Sequence, residues 1–81
     1  MRFVWWVWLR VMSEIARTWI IPDDGDSLGV YVSTLQFDNS LYETMIVGGE
    51  YDATAHNDNT RKNALQTHIF WINYLINYYG L

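Results

Sequence analysis

The stretch that decides the fold is residues 59–79, with the sequence NTRKNALQTHIFWINYLINYY. Residues three or four apart lie on one face of a helix, and at that spacing the apolar residues form two adjacent stripes. The first stripe contains Leu65, Ile69, Ile72, Ile76 and Tyr79. The second stripe contains Ala64, His68, Trp71, Leu75 and Tyr78. A polar strip, interrupted by Phe70, contains Asn63, Gln66, Asn73 and Asn77.

A helix that covers one sheet needs one apolar stripe, so the second stripe predicts a second partner, in this chain or in another copy of it. An ordinary buried core helix is the alternative. The composition favours self-association, because 51% of the 81 residues are apolar and 17% are aromatic. A chain of this length buries only about 60–65% of its unfolded surface. Residues 1–81 are therefore expected to form a single domain that assembles into a homo-oligomer.

Acidic residues are concentrated in the middle of the chain. Eight of the nine lie between residues 23 and 58, where there is no Lys or Arg, and the net charge is −4. Long nucleic acid is a poor partner for this chain, because no basic stripe is present to displace its counterions. A basic host protein is a possible partner. Alternatively, acidic loops simply keep an apolar protein in solution.

The first apolar segment is residues 2–12, RFVWWVWLRVM. Its uninterrupted apolar run ends at Arg10 and is far shorter than the ~20 residues of a membrane-spanning helix. No small-residue cleavage site follows, which argues against a secretory signal peptide. We expect an aromatic helix that packs against the C-terminal helix and no membrane partner, with an interfacial anchor as the less favoured alternative.

Residues 15–21, 30–37 and 41–47 are rich in β-branched and aromatic side chains, which predicts three strands. Residues 23–27 (DDGDS) and 38–40 (DNS) predict turns, and Gly48-Gly49 ends the sheet. Residues 50–59 are polar and are expected to be irregular. The predicted fold class is therefore α+β, with an N-terminal aromatic helix, a three-stranded antiparallel sheet and a long C-terminal helix packed on it.

The start of the final helix breaks a charge rule. Thr60 is a suitable N-cap, but Arg61 and Lys62 follow it. These cations lie where the helix macrodipole favours anions. A bound phosphate or carboxylate would gain from the free N–H groups and from both cations. An ion pair with Asp58 or with another loop acid is the alternative explanation.

Four short blocks carry a family resemblance. They are residues 15–18 (IART), residues 32–34 (VST), residues 42–49 (YETMIVGG), and Thr60, Ala64 and His68 at helical spacing. Together they resemble a family of small, mostly uncharacterised tailed-phage proteins with the pattern VAxT, VSTVFLG, FETMVFGG and TxEEAxxGH. The resemblance covers roughly residues 15–70. It implies three strands followed by a helix and a phage origin, but no activity.

Two departures from the family pattern limit what can be transferred. The long Gly/Pro-rich loop between the two middle strands is reduced here to residues 38–40. The paired acids that open the family's helix are replaced by Arg61 and Lys62. A family site at either place would not be shared by this chain.

Catalysis is not expected. His56 and His68 are the only histidines, and no Ser lies in a nucleophile-elbow context. Asp52, His56 and Asp58 have a spacing that surface loops also produce by chance. The stripe position of His68 favours a core or interface histidine with a hydrogen-bond partner. The sequence therefore predicts no enzyme activity, no cofactor and no metal site.

The favoured hypothesis is a phage-type accessory protein that acts in the cytoplasm of the bacterial host. It would counter bacterial immunity by sequestering a small nucleotide signal in a homo-oligomer. Its predicted ligand-binding residues are Thr60, Arg61, Lys62, His68, Trp71, Tyr31, Tyr42 and Tyr51. The alternatives are an acidic inhibitor that mimics nucleic acid and binds a basic host defence enzyme, and a virion assembly accessory.

Overall fold

The computed structural model describes residues 13–81, in which one face of an antiparallel sheet carries a long helix. The sheet has four strands in sequence order: β1 (Ser13–Ile21), β2 (Val30–Asp38), β3 (Leu41–Val47) and β4 (Ala55–Asp58). The helix α1 (Arg61–Tyr79) follows and contacts all four strands. The predicted helix over residues 2–12 lies outside the described residues. Within residues 13–81, no helix is long and apolar enough to cross a membrane.

The prediction of an α+β fold with an antiparallel sheet and a C-terminal helix is confirmed. Burial in β3 alternates with the period of two that a half-covered strand requires. Tyr42, Thr44 and Ile46 are buried, and the residues between them are partly exposed. The predicted strand over residues 41–47 matches β3.

The prediction of a three-stranded sheet is wrong in one respect, because β4 lies inside the stretch expected to be irregular. Its sequence, AHND, has little β-propensity, and three of its four residues are exposed. β4 is instead held by the backbone ladder to β3, in which Ala55 pairs with Met45 and Asp58 pairs with Tyr42. Backbone pairing to a well-formed neighbouring strand leaves no hydrophobic signature, so composition could not reveal this edge strand.

The core forms between β2, β3 and the second stripe of α1. Val30, Val32 and Ile46 from the sheet pack against Leu75 from the helix. Ala64, His68 and Leu75 are the buried residues of α1, and all three belong to the second stripe. In the first stripe, by contrast, Ile69 is 57% exposed. The second stripe therefore supplies the buried residues of the helix, and the first stripe is partly covered, since Ile72 and Tyr79 also pack against the core.

The ends of α1 follow from local capping. Thr60 has an extended backbone, and its side chain accepts a hydrogen bond from the Asn63 N–H at 3.1 Å. This confirms Thr60 as the N-cap. At the other end Gly80 is left-handed, with φ of 71°, and its N–H reaches the Asn77 carbonyl. Glycine ends helices in this way because it adopts a positive φ without strain.

Candidate functional site

An open cleft of about 370 Å³ lies between the edge strand β4 and the first three turns of α1. His56 and Asp58 line it from β4, two residues apart and thus on the same face of the strand. The helix contributes Asn63, Gln66, Thr67, Phe70 and Trp71. The cleft therefore combines an aromatic wall with acidic, amide, hydroxyl and imidazole groups, the mixture that orients a planar polar ligand.

The aromatic wall consists of Phe70 and Trp71. Their ring centroids are 5.4 Å apart and their planes meet at 82°. Two perpendicular rings cannot both lie flat against one planar ligand. Phe70 is 59% exposed, whereas Trp71 packs against the hydrophobic core. Phe70 is thus the available stacking surface, and Trp71 closes the cleft from the core side.

The acidic end of the cleft holds a carboxylate without a close donor. Asp58 Oδ1 lies 3.7 Å from His56 Nε2, which is too far for a hydrogen bond. Asp58 Oδ2 is buried and accepts no hydrogen bond from any group in residues 13–81. The Asp58 side chain is 13% exposed, and a carboxylate this enclosed ordinarily has a donor. Oδ2 thus has no donor among the described residues.

The two cations at the start of α1, Arg61 and Lys62, are exposed. They are not among the residues that line the cleft, but they directly precede Asn63, which is, and they share the first helical turn with it. Within the described residues, the Arg17–Glu14 ion pair and the contact between His56 and Asp58 are the close approaches of basic to acidic side chains, and neither includes Arg61 or Lys62. The ion pair with Asp58 that would explain these cations is not formed. The first turn contains no acidic residue either.

His68 lies in the core rather than at the cleft and is 4% exposed. Its Nδ1 is 2.8 Å from Thr34 Oγ1, and its Nε2 is 3.0 Å from Thr18 Oγ1. Thr34 Oγ1 also lies 2.7 Å from Thr44 Oγ1. Burial lowers the pKa of His68, and the nearby Glu14 carboxylate only partly opposes this. His68 is thus a core histidine with hydrogen-bond partners, as its stripe position predicts.

The predicted stacking aromatics do not gather at one place. Tyr31 lies on the opposite face of the sheet from Val32, its ring centroid 4.7 Å from that of Trp19 and 4.4 Å from the Arg17 guanidinium. Tyr42 is on the helix face, paired with Asp58, but is 5% exposed. Of the predicted aromatics, Trp71 is the one that lines the cleft.

Tyr51 lies in an aromatic cluster along α1 that continues to the cleft residue Trp71, whose ring centroid is 6.1 Å away. Its ring meets those of Tyr74 and Tyr78 edge-on, with centroids 5.3 and 5.1 Å away. Its hydroxyl lies 2.5 Å from that of Tyr74, and this hydrogen bond raises the pKa of Tyr51 to about 12. Tyr78 in turn donates to Glu50 at 2.7 Å. Tyr51 therefore packs against the helix instead of joining the cleft.

Sequence reasoning missed most of the cleft. The helical polar strip already contained Asn63 and Gln66, with Phe70 interrupting it, and His56 and Asp58 have the period of two of a strand. These signals could not be joined, because the cleft exists only once residues 55–58 pair as β4. Asp52, grouped with His56 and Asp58 by spacing, instead accepts the Gly48 N–H at 2.7 Å within its own loop.

Three further acidic residues, Asp23, Asp24 and Asp38, have local partners. Asp23 accepts the Gly25 N–H at 2.9 Å, and Asp38 accepts the Ser40 N–H at 2.8 Å. Asp24 accepts the N–H groups of Ser27 and Asp26, which lowers its pKa. Carboxylates used in this way stabilise turns. Turn formation thus accounts for these acids without a basic partner.

The chain matches no known protein family, curated protein or solved structure. The likeness to tailed-phage proteins accordingly stays a prediction. Within residues 13–81, no group of three or more His, Asp or Glu side chains is arranged to hold a metal ion.

Proposed function

We propose that this chain is a non-enzymatic binding protein that sequesters a small nucleotide in the cleft between β4 and α1. The observation that carries the proposal is the pairing, in one cleft, of an exposed aromatic face, Phe70, with the Asp58 oxygen that has no donor among the described residues. Stacking of a base on an aromatic ring contributes about 1–3 kcal/mol. Amide and hydroxyl groups from Asn63, Gln66 and Thr67 supply the polar contacts that orient a base.

The phosphate of the nucleotide would bind at the N-terminus of α1. Arg61 and Lys62 have no carboxylate partner within the described residues. The Asn63 N–H is taken by the Thr60 side chain and the Ala64 N–H by the Thr60 carbonyl, which leaves the N–H groups of Arg61 and Lys62 for a ligand. Helix N-termini bind phosphate through such free N–H groups, and the macrodipole adds to the attraction. Two cations suffice for a mononucleotide or a cyclic dinucleotide, so the net charge of −4 is compatible with this ligand.

The geometry favours binding over catalysis. A catalytic His–Asp pair needs a hydrogen bond that holds the imidazole in one orientation. His56 and Asp58 are 3.7 Å apart, and the His56 side chain is 57% exposed. The ligand should therefore be retained unchanged, as sequestration requires.

Self-association follows from the surface that α1 leaves open. Ile69 of the first stripe is 57% exposed, and Leu65, Ile72 and Ile76 of the same stripe are only partly buried. Contiguous exposed apolar surface of this kind commonly marks a protein interface. A homo-oligomer would cover it. In the cytoplasm of an infected bacterium, which the phage resemblance implies, such an assembly would withhold a nucleotide signal of host immunity.

The decisive test is native mass spectrometry and calorimetry of the protein with a panel of mononucleotides and cyclic dinucleotides. We expect an oligomer that gains whole ligand masses and releases the ligand chemically intact. Phe70→Leu should weaken binding about ten-fold or more, since it removes the stacking ring. Leu28→Ala is the control, because Leu28 is also an exposed apolar residue but lies in the β1–β2 loop, away from the cleft and from α1. Release of a hydrolysed ligand would contradict the non-enzymatic assignment.

The same assay separates nucleotide sequestration from acidic inhibition of a host enzyme. Replacing both Arg61 and Lys62 by Ala should abolish nucleotide binding and leave an inhibitor unaffected. Replacing Asp23, Asp24 and Asp26 by Lys should have the opposite effect. A protein that binds no nucleotide but loses its biological effect in the Lys variant would favour the acidic inhibitor.

A further inference from the structure

The carboxylate of Asp58 restricts which ligand the cleft accepts. It lies on the helix-facing side of β4, and Oδ2 has no donor among residues 13–81. The nearest basic side-chain atom, His56 Nε2, is beyond hydrogen-bonding distance at 3.7 Å. Because Oδ2 is buried, the carboxyl group has to rotate about its broad terminal torsion before both oxygens face the cleft. An ionised carboxylate is an acceptor only, and it readily accepts two parallel N–H groups.

Guanine differs from the other bases in its hydrogen-bond donors, which are the groups that a carboxylate can recognise. Its N1–H and its 2-amino group are adjacent donors on one edge. Adenine and cytosine place a bare ring nitrogen next to their amino group, and that lone pair would face a carboxylate oxygen. Uracil flanks its single N–H with two carbonyl oxygens. A buried acceptor that is left unpaired penalises each of these alternatives.

The rest of the cleft suits a purine held in this way. The exposed ring of Phe70 offers a flat surface, and Trp71 stands at 82° to it, so one stacked base would also meet a perpendicular wall. Asn63, Gln66 and Thr67 include donors for a carbonyl oxygen such as guanine O6. We infer that Asp58 makes the cleft selective for guanine nucleotides by accepting the N1–H and the 2-amino group together. This inference rests on the proposed nucleotide-binding function.

The test uses the full chain and calorimetric titration with the 5′-monophosphates of guanosine, inosine, adenosine and xanthosine. Inosine monophosphate lacks only the 2-amino group, so it should bind roughly ten- to hundred-fold more weakly than guanosine monophosphate, as loss of a hydrogen bond to a charged group predicts. Adenosine monophosphate should bind at least as weakly as inosine monophosphate. The ratio of the affinities for guanosine and inosine monophosphates should stay the same at higher salt, because base recognition does not depend on the phosphate.

Asp58→Asn should weaken the binding of one nucleotide and strengthen the binding of another. The amide offers one acceptor and one donor, which matches the N1–H and 2-carbonyl of xanthine. The variant should therefore lose the preference for guanosine over inosine monophosphate and gain affinity for xanthosine monophosphate. Asn57→Ala is the control, because Asn57 is exposed and points to the other face of the same strand.

The outcomes separate the two proposals. Equal binding of all four nucleotides by the native protein would overturn the guanine assignment and leave nucleotide sequestration standing. An unchanged guanosine preference in Asp58→Asn would also overturn it. Absence of binding by every nucleotide in this panel and in the cyclic dinucleotide panel would overturn both. Binding of agmatine, whose guanidinium also presents two N–H groups, without guanosine monophosphate would assign the Asp58 cleft to a different ligand.

Discussion

His68 on α1 and Thr34 on β2 are joined by a hydrogen bond of 2.8 Å in the centre of the protein. Thr34 is fully buried and His68 is 4% exposed. Thr34 also meets Thr44, and His68 also meets Thr18, so one polar chain crosses the core from β3 to β1 by way of the helix. Such a network fixes how the helix lies on the sheet, because any shift of α1 would leave buried polar atoms unpaired.

The first prediction concerns Thr34. Thr34→Val keeps the side-chain shape but removes the hydroxyl shared by His68 and Thr44. Leaving buried polar groups unpaired should lower the free energy of unfolding by about 1–3 kcal/mol. Urea denaturation followed by circular dichroism measures the change. Thr34→Ser, which retains the hydroxyl, should cost less than Thr34→Val. If the Ser variant were the less stable of the two, the packing of the methyl group and not the network would dominate.

The second prediction is a pH dependence of stability. Burial lowers the pKa of His68 below 6.5, its value in the unfolded chain, so the unfolded state binds a proton more readily than the fold does. Stability is therefore fully present above about pH 6.5 and falls as the pH drops toward the lower folded pKa. Denaturation curves at several pH values between 8 and 5 should show this decline.

His68→Gln is the matched variant for the pH experiment. Glutamine can still donate and accept hydrogen bonds but does not titrate, so its stability should change less below pH 6.5 than that of the native protein. Carboxyl groups, including Glu43, whose pKa burial raises, titrate in both proteins and cancel in the difference. Parallel curves for the two proteins would show that His68 is not the group responsible.

The fold could be predicted where side chains carry the signal. β3 (Leu41–Val47) is an apolar run between turn residues, and α1 begins after an N-cap threonine. β4 could not be predicted, because Ala55–Asp58 is held by its backbone and not by burial. The cleft was missed for the same reason. His56 and Asp58 become neighbours of the helix residues only through that pairing, which no local pattern encodes.

The aromatic residues illustrate the same limit at the level of single side chains. Tyr31 and Tyr42 come from strands of one sheet, but their positions place them on opposite faces. Which face of a strand meets the helix depends on register, and a shift of one residue reverses it. Composition therefore gives the number of aromatic residues, but it could not show that Phe70 and Trp71 line the cleft while Tyr51 does not.

The third prediction compares two glycines with the same backbone conformation. Gly48 has φ of 90° and Gly25 has φ of 88°. A Cβ on Gly48 would lie 2.1 Å from the carbonyl oxygen of Gly29, whereas one on Gly25 would meet nothing within 4 Å. Gly25→Ala should therefore cost only the conformational penalty of about 1–2 kcal/mol. Gly48→Ala should be clearly less stable, because rigid backbone must move. Equal melting temperatures for the two variants would contradict this expectation and show that the backbone at Gly29 can move away from a Cβ at position 48 without loss of stability.

The fourth prediction concerns the face of α1 that the sheet leaves uncovered. Ile69 is 57% exposed, although it belongs to the first apolar stripe of the helix. If a second copy covers this stripe, Ile69→Lys buries an unpaired charge at the interface and should shift the protein to a monomer in analytical ultracentrifugation. Leu28→Lys is the control. Leu28 is 84% exposed in the β1–β2 loop, so its substitution should leave the assembly intact. An oligomer that survives Ile69→Lys would place the interface elsewhere, and a native protein that is monomeric at all concentrations would refute self-association through α1.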